Sequence, residues 1–169
     1  MHMEKNNEQG ELEIRSTTPE DVPLILDFIK GIAEYEKLSH EVVATEETLH
    51  DSLFGENPCA EALLAFVGET PVAYAIFFHN FSTFIGKRGL YLEDLFVKPD
   101  YRARGIGKKL LVHLAGLAKE RNCGRFEWMA IDWNEPAINF YKHLGAAMKD
   151  EWELFRLDEA GIADVAAME

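Results

Sequence analysis

Hydrophobic residues follow two different spacings along this chain, and the spacings predict a mixture of strands and helices. Apolar positions that alternate, or that form short runs rich in β-branched and aromatic residues, predict strands. These segments cover residues 12–15, 61–67, 72–81, 90–97, 126–131 and 152–157. Glycine-bearing turns at residues 68–71 and 86–89 separate three of them, and they predict an antiparallel hairpin followed by a further strand.

Four other segments repeat their apolar residues every three or four positions and predict helices. They cover approximately residues 19–36, 45–54, 106–121 and 134–144. Thr18, Thr45 and Asn134 are good capping residues at three of the starts, and Gly55 and Gly145 follow two of the ends. Residues 158–169 form either a short helix or a frayed end.

The resulting order, β-α-α-β-β-β-α-β-α-β, predicts one α/β domain with a mixed sheet. This domain covers residues 12–169, whereas residues 1–11 are predicted to be a flexible tail. A helix joins the strands at 90–97 and 126–131, so we expect these strands to pair in parallel through a right-handed crossover. A length of 169 residues suits one well-buried core and is short for two domains.

The charge of the chain narrows the classes of partner. It has 30 acidic and 17 basic residues, which give a net charge of -13. A nucleic-acid-binding surface normally shows a basic patch, so this balance argues against one. An acidic field suits a small cationic substrate, and it equally suits a protein that is acidic only to stay in solution.

The two cysteines, Cys59 and Cys123, indicate neither a metal centre nor a redox motif, because they lack CxxC spacing and neighbouring histidine pairs. The sequence therefore predicts no metal site. The N-terminus is polar and acidic, unlike a signal peptide, and no apolar run is long enough to cross a bilayer. We expect a cytoplasmic protein with reduced thiols.

The turn before the third helix is the first candidate site. It has the pattern Arg102-x-x-Gly105-x-Gly107 and is followed by Lys108 and Lys109. The first amides of a helix have no partner inside the helix, the helix dipole favours negative charge, and glycines let a phosphate approach the backbone. The pattern also fits a plain turn into a surface helix. It lacks the third glycine of a dinucleotide fingerprint and the Gly-Lys-Ser/Thr ending of a Walker loop.

Three sequence blocks extend this turn into a longer pattern. They are Tyr91-Leu92-Glu93-Asp94-Leu95-Phe96-Val97, then Tyr101-Arg102 with Gly105-Ile106-Gly107, and then Trp133-Asn134-Glu135-Pro136-Ala137-Ile138-Asn139-Phe140-Tyr141. Together they resemble the GNAT superfamily of N-acetyltransferases, and within it the diamine (spermidine/spermine) and thialysine N-acetyltransferases. The resemblance covers about residues 14–157. It implies a GNAT-like α/β (α+β) fold, with a mixed, mostly antiparallel sheet, a parallel β-α-β crossover at the cofactor site and helices on both faces.

The resemblance also implies acetyl-CoA as the cofactor, a small cationic amine as the substrate, direct transfer in a ternary complex, and a homodimer. Residues implied in cofactor binding are Leu95, Phe96, Val97, Arg102, Ala103, Arg104, Gly105, Ile106, Gly107, Lys108, Asn134, Glu135, Pro136 and Ala137. Residues implied in substrate contact are Tyr35, Glu36, Ser82, Phe84, Glu93, Asp94, Glu127, Trp128, Met129 and Trp152. The implied catalytic residues are Glu93, which binds the amine and relays its proton, and Tyr141, which acts as the general acid.

The chemistry of amine acetylation explains the need for a carboxylate. A primary ammonium has an ordinary pKa near 10.4, so at neutral pH a base must take its proton before it can attack. Glu93 can do this directly or through water. Glu93 and Asp94 are strand neighbours that point to opposite faces, so only one enters the site unless a bulge intervenes. We assign Glu93, and a solvated or structural role for Glu36 and Asp94 fits the sequence equally well.

Tyr141 offers a hydroxyl to the leaving thiolate. Its ordinary pKa of about 10 exceeds that of a thiol, about 8.5, so a stabilising hydrogen bond describes its role better than full proton transfer. By spacing alone, Tyr141 is a core aromatic residue on an amphipathic helix. The resemblance assigns it the catalytic role.

The chain departs from the polyamine enzymes at residues 82–84. Those enzymes carry Asp-Pro-Trp before Ile-Gly-Lys, whereas this chain has Ser82-Thr83-Phe84. The carboxylate expected to bind a distal ammonium is absent, and Phe84 attracts a cation less strongly than tryptophan does. This favours a lysine-like or diamine substrate over spermidine and spermine. The alternatives are a protein or peptide acetyltransferase of the same fold and a non-catalytic CoA-binding module.

Overall fold

The computed structural model describes residues 10–168, so most of the predicted N-terminal tail lies outside the described residues. The chain divides into two compact units, the first ending at Met129 and the second beginning at Ala130. The strands described are β1 (Leu12–Ser16), β2 (Glu61–Val67), β3 (Thr70–Ser82), β4 (Lys87–Val97) and β5 (Phe126–Trp128). The helices described are α1 (Val22–Tyr35), α2 (Glu46–Phe54), α3 (Ile106–Glu120), α4 (Glu135–His143) and α5 (Glu159–Ala166).

The strands form one sheet in chain order, β1-β2-β3-β4-β5. β1 to β4 pair antiparallel, and β5 pairs in parallel with β4, where Leu90 lies opposite Phe126. The helix between them, α3, is therefore the connection of a parallel β-α-β unit. The predicted mixed, mostly antiparallel sheet is confirmed.

α1 and α3 cover opposite faces of this sheet. Gly31 of α1 faces the ring of Phe96, whereas Gly107 of α3 faces the side chains of Leu95 and Val97. Neighbouring strand residues point to opposite faces. The predicted placement of helices on both faces is thus confirmed within the first unit.

The core under α1 is built from aromatic side chains. Phe28, Leu64, Tyr74 and Phe96 form a buried cluster, in which the rings of Phe28 and Tyr74 stack with their centroids 5.2 Å apart. The ring of Phe96 meets that of Phe28 edge-on at 6.5 Å. Because this cluster connects the middle of α1 to β3 and β4, it packs α1 against the strand that carries Glu93.

Two of the predicted helix starts are confirmed by their caps. Thr45 and Thr48 exchange hydrogen bonds before α2: Thr45 Oγ1 accepts from the Thr48 N–H at 3.2 Å, and Thr48 Oγ1 accepts from the Thr45 N–H at 2.9 Å. Asn134 Oδ1 accepts from the Ala137 N–H at 3.4 Å at the start of α4. A single 3-10 turn, Pro19–Asp21, precedes α1.

The predicted turn at residues 86–89 is wrong, because β4 already begins at Lys87. The chain turns at residues 83–86, where the Gly86 N–H donates to the Ser82 carbonyl oxygen at 2.8 Å. Gly89 lies inside β4, where a β-carbon would collide with Asn80 Oδ1. Gly89 therefore allows the strands to pack closely. A glycine in the sequence does not by itself distinguish this role from a turn. The predicted end of β5 is also wrong, since this strand ends at Trp128 rather than at residue 131.

The predicted strand at residues 152–157 is wrong. This segment of the second unit has no regular secondary structure, and no strand in residues 10–168 pairs with it. Its apolar side chains are largely exposed, Phe155 by 91%. An alternating segment forms a strand only where a neighbouring strand supplies hydrogen bonds. The sequence of the segment itself does not specify that neighbour. The helical alternative for the C-terminal segment is confirmed by α5, where Asp158 Oδ1 accepts from the Gly161 N–H at 2.8 Å.

Candidate active site

A β-bulge in β4 sets the position of Glu93. The register between β3 and β4 shifts by one residue here, because Ile76 lies opposite Asp94 whereas Phe77 lies opposite Leu92. Glu93 is the additional residue of β4, and its side chain is exposed. The bulge is the exception that the sequence argument left open, since it frees Glu93 and Asp94 from strict alternation between two faces.

Three carboxylates disfavour ionisation of the hydroxyl of Tyr74, a buried residue of β3. Tyr74 Oη donates a hydrogen bond to Asp94 Oδ2 at 2.8 Å. Burial, followed by the charges of Asp94, Glu36 and Glu93, raises the pKa of Tyr74 far above its ordinary value. Tyr74 therefore stays protonated and serves only as a donor to Asp94. The structure thus brings together the three acids that the sequence proposed for attracting an amine.

Two of these acids hold their protons more tightly than usual. Burial raises the pKa of the Asp94 carboxyl, and the hydrogen bond from Tyr74 opposes that rise. Burial also raises the pKa of Glu36, and the charge of Asp94 adds to the effect. A cluster of this kind attracts a cation, because a positive charge relieves the repulsion between the carboxylates.

The raised pKa of Asp94 leads to a prediction about stability. The folded chain binds this proton more tightly than the unfolded chain, so ionisation of Asp94 weakens the fold. The free energy of unfolding should therefore fall as the pH rises from about 4, the ordinary pKa of aspartate, through the raised pKa of Asp94 in the folded chain. Asp94→Asn removes this titration and leaves an amide oxygen to accept from Tyr74. We expect the variant to gain stability relative to the parent between pH 4 and pH 8 in urea titrations.

The exposed Asp100 provides the control for this measurement. Asp100→Asn should leave the pH dependence of the free energy of unfolding parallel to that of the parent. If the Asp94→Asn curve also runs parallel to the parent's, ionisation of Asp94 does not weaken the fold and the burial argument fails.

The glycine turn presents backbone to solvent at the start of α3. Gly105 has φ of +78°, a left-handed conformation that glycine adopts without strain, and no side chain caps the helix. The first turn of α3 contains no acidic residue, and Lys108 and Lys109 are exposed there. Unpartnered helix amides beside two lysines fit a phosphate-bearing group.

The end of β4 offers a backbone edge beside this turn. Pairing between β4 and β5 stops at Leu92 and Trp128, so β5 does not cover residues 95–97. A β-carbon on Gly107 would lie 3.7 Å from Leu95 and 3.8 Å from Val97, which places the start of α3 directly over these residues. The predicted cofactor residues at the end of β4 and the predicted phosphate-binding turn are therefore adjacent.

Arg102, predicted in the same turn, points its guanidinium toward α1. Its Cζ lies 4.5 Å from the ring centroid of Tyr35 and 5.3 Å from that of Phe96. Its Nε donates to the Val97 carbonyl oxygen at 3.0 Å. The structure therefore brings together a predicted cofactor residue, Arg102, and a predicted substrate residue, Tyr35. Arg104 lies instead over the ring of Tyr101, at 4.9 Å.

The second unit carries the other proposed catalytic residue. Asn134 caps α4, and residues 134–137 form the start of this helix. Tyr141 follows Asn134 by seven residues, close to two helical turns, so both lie on one side of α4. Tyr141 is half-buried, with its ring 5.5 Å from that of Phe140. Within this unit, the predicted cofactor residue Asn134 and the predicted acid Tyr141 share one helix face.

Ser82 is the last residue of β3, and Phe84 lies in the turn between β3 and β4. Ser82 is buried, and its Oγ accepts from the Ile85 N–H at 3.3 Å, whereas Phe84 is 92% exposed. Six strand positions separate this turn from Asp94 along β3, which corresponds to about 20 Å. Within one copy of the chain, these two predicted substrate residues are not brought to the acid cluster.

The remaining predicted substrate residues occupy varied surroundings. Glu127 accepts from Asn80 Nδ2 at 2.8 Å and pairs with Arg125 Nε at 2.8 Å. Trp128 packs edge-on against Phe126, with centroids 4.9 Å apart. Met129 and Trp152 are largely exposed, Trp152 within the irregular segment of the second unit.

Sequence analysis missed Tyr74 as a residue of this site. It is a fully buried aromatic whose hydroxyl orients Asp94. The one available signal was a phenol in the otherwise apolar run 72–77, since a buried tyrosine hydroxyl normally finds a partner. That partner is 20 residues away on another strand, and the local pattern does not name it.

Other classes of site find no support in residues 10–168. No group of three His, Cys, Asp or Glu side chains there is arranged to hold a metal ion. The described helices are all too short or too polar to span a membrane. Cys59 and Cys123 are free thiols.

Comparisons with known proteins agree with this geometry. The family model described as Acetyltransferase (GNAT) family matches residues 29–146. The chain is 38% identical over 164 residues to the thialysine N-epsilon-acetyltransferase of Sus scrofa, covering 90% of this chain and 96% of that one. It is 34% identical over 190 residues to the L-ornithine N5-acetyltransferase NATA1 of Arabidopsis thaliana, covering 85% and 83%. Among solved structures, an integron cassette protein from the mobile metagenome of V. cholerae superposes with a TM-score of 0.77 at 28% identity, covering 93% of this chain and 98% of that one.

Proposed function

Since this chain belongs to the acetyltransferase (GNAT) family and is an N-acetyltransferase, we propose that its acetyl donor is acetyl-CoA and its acceptor the primary amine of a small cationic molecule. The single observation that carries the choice of acceptor is the cluster of Glu36, Glu93 and Asp94 at the bulge of β4. The relatives named for thialysine and L-ornithine support the same class. Both names denote amino acids with an amine at the end of the side chain.

Acetyl-CoA, when bound, supplies an acetyl group activated as a thioester. The residues that fit it in the first unit are the backbone edge of residues 95–97 and the turn of residues 103–108, where open amides and two lysines suit a pyrophosphate. In the second unit, residues 134–137 are proposed to contact it. The exposed backbone at Gly105 is what makes close approach of phosphate oxygens feasible.

The acid cluster prepares the amine. An ammonium group is drawn to Glu36, Glu93 and Asp94 by charge. Glu93, exposed on the bulge, takes the proton directly or through water and releases the neutral nucleophile. Tyr74 fixes the orientation of Asp94 by its 2.8 Å hydrogen bond, so that Asp94 holds the charge of the ammonium while Glu93 exchanges the proton.

Tyr141 is proposed to stabilise charge on the leaving sulfur. Its phenol O–H is a donor at neutral pH, because the ordinary pKa of tyrosine is about 10. A hydrogen bond to a developing thiolate lowers the barrier most when the charge is greatest. The remaining proposals are carried by family resemblance: Ser82, Phe84, Glu127, Trp128, Met129 and Trp152 contact the substrate, and the chain forms a homodimer.

An assay of thiol release from acetyl-CoA tests the choice of acceptor. Thialysine, lysine, ornithine, putrescine, spermidine and spermine should be compared at equal concentration. We expect turnover with the lysine-like amino acids or the diamines to exceed turnover with spermine, because Ser82 replaces the carboxylate that would hold a distal ammonium.

Two other outcomes separate this proposal from its rivals. Acetylation of lysine-containing or N-terminal peptides without any small-amine activity would indicate a protein acetyltransferase. Binding of CoA, measured by calorimetry, with no turnover of amines or peptides would indicate a binding module. Either result would refute the small-amine proposal.

A further inference from the structure

A groove runs along the end of β4 beneath α1. Its cavity of about 480 Å³ is lined by aromatic rings, cations and carboxylates. The aromatic walls are Phe28, Tyr35 and Phe96, and the charged residues on its lining are Asp27, Glu34, Lys98 and Arg102. The volume suits a small organic molecule.

Buried aromatic residues link the groove to the acid cluster. Asp94 and Phe96 occupy alternate positions at the end of β4 and therefore share one face of the sheet, the face under α1. Lys98 directly follows the last residue of β4 and lines the same groove as Phe96. Phe28, which lines the groove, stacks on Tyr74, and Tyr74 bonds to Asp94. Tyr35, which lines it as well, directly precedes Glu36. The path from the acid cluster along the groove thus leads to the two cations Lys98 and Arg102.

The positive end consists of two cations held over aromatic rings. Lys98 Nζ lies 5.2 Å from the ring centroid of Phe28, and the Arg102 guanidinium stacks over Tyr35. In the described part of the chain, no carboxylate lies within ion-pair distance of Lys98 or Arg102. In a chain with an excess of acids, two such neighbouring cations facing a cavity are suited to an anionic group of a ligand.

The spacing fits a molecule with opposite charges at its two ends. Asp94 and Lys98 are four residues apart along an extended stretch of chain, about 13 Å between backbones. The span left for a ligand is this distance less the reach of the two side chains, which is on the order of an extended amino acid that carries a terminal amine. Asp27 and Glu34 line the same groove and offer carboxylates for the α-ammonium of such a ligand.

We propose that Lys98 and Arg102 bind the α-carboxylate of an amino-acid substrate and thereby select a lysine-like amino acid over the diamine of the same chain length. This inference rests on the proposed function, because it places the reacting amine at the acid cluster. Arg102, assigned to the cofactor turn by its motif, here presents its guanidinium to the substrate groove. The carboxylate contact is a binding contact only and takes no part in the transfer of the acetyl group.

Lysine and cadaverine provide the test, since they differ only in the carboxylate. In the parent chain, kcat/KM should be higher for lysine than for cadaverine. Lys98→Gln should lower kcat/KM for lysine by about 10- to 100-fold, the effect of losing one charged hydrogen bond. The same variant should leave cadaverine unchanged or improve it, because a repelling positive charge has been removed. Lys98→Arg should retain the preference for lysine.

Lys30 supplies the matched control, because it is an exposed lysine of α1 that does not line the groove. Lys30→Gln should change neither substrate. An equal fall for lysine and cadaverine in Lys98→Gln, or no preference for lysine in the parent, would overturn the inference while leaving amine acetylation intact.

The inference remains testable if neither amine is turned over, a result that would refute the proposed function alone. Calorimetric binding of lysine and of cadaverine to the parent and to Lys98→Gln, with CoA present, then decides. Tighter binding of lysine that disappears in Lys98→Gln supports the carboxylate site. Equal or absent binding of the two molecules to the parent rejects it.

Discussion

Replacing Tyr141 with phenylalanine should lower kcat by about 100- to 10,000-fold, the range for removing a positioned proton donor. The substitution keeps the ring, which lies 5.5 Å from that of Phe140, so α4 should keep its packing. Affinity for CoA should change little, because the phenol is proposed to act on charge that develops during the reaction. Steady-state kinetics with lysine, together with calorimetric CoA binding, separates the two effects.

Tyr91→Phe is the matched control, since it also removes a tyrosine hydroxyl and keeps the ring that packs against Phe78, at 5.0 Å between centroids. Its turnover should stay close to that of the parent. A Tyr141→Phe rate similar to that of Tyr91→Phe would remove Tyr141 from the mechanism. A large rise in the dissociation constant for CoA with unchanged kcat would make Tyr141 a binding residue instead.

Local signals were sufficient for the parts of the fold that local chemistry determines. Thr45 and Thr48 cap α2 by hydrogen bonds within four residues, and Gly105 takes the left-handed conformation at the start of α3. Such features depend on residues adjacent in the chain, so the sequence predicts them well. Residues 152–157 show the opposite case, because a strand needs a partner that no local pattern supplies.

The candidate site likewise has features that the local sequence predicts and features that depend on distant residues. The motif located Glu93 and the glycine turn, and alternation raised the question of which acid enters the site. The bulge answers it, yet it arises from a register shift between β3 and β4 that appears only when both strands are paired. The contact between Tyr74 and Asp94, and the stacking of Arg102 on Tyr35, likewise join distant parts of the chain.

Glu93→Gln should lower kcat/KM at pH 7 by about 100-fold or more, because glutamine keeps the size and polarity of the side chain and cannot accept the proton of an ammonium. The loss should shrink as pH rises toward the amine's own pKa, about 10.4, since the fraction of neutral amine increases tenfold per pH unit below that value. Initial rates with lysine across pH 6.5–9.5 measure both effects. Glu69→Gln, at an exposed position in the β2–β3 turn, is the control and should follow the parent at every pH.

Asp94 is the rival base, and the same pH series distinguishes it from Glu93. Burial raises the pKa of Asp94, which brings a carboxylate closer to the pH at which a base works best. However, Asp94 already accepts the hydrogen bond of Tyr74 at 2.8 Å, and the bulge leaves Glu93 as the exposed acid with access to water. If Asp94→Asn shows a loss of kcat/KM that becomes smaller at high pH, while Glu93→Gln retains parental rates, Asp94 is the base. If only Glu93→Gln shows a loss of kcat/KM that becomes smaller at high pH, Asp94 holds the ammonium and Glu93 deprotonates it.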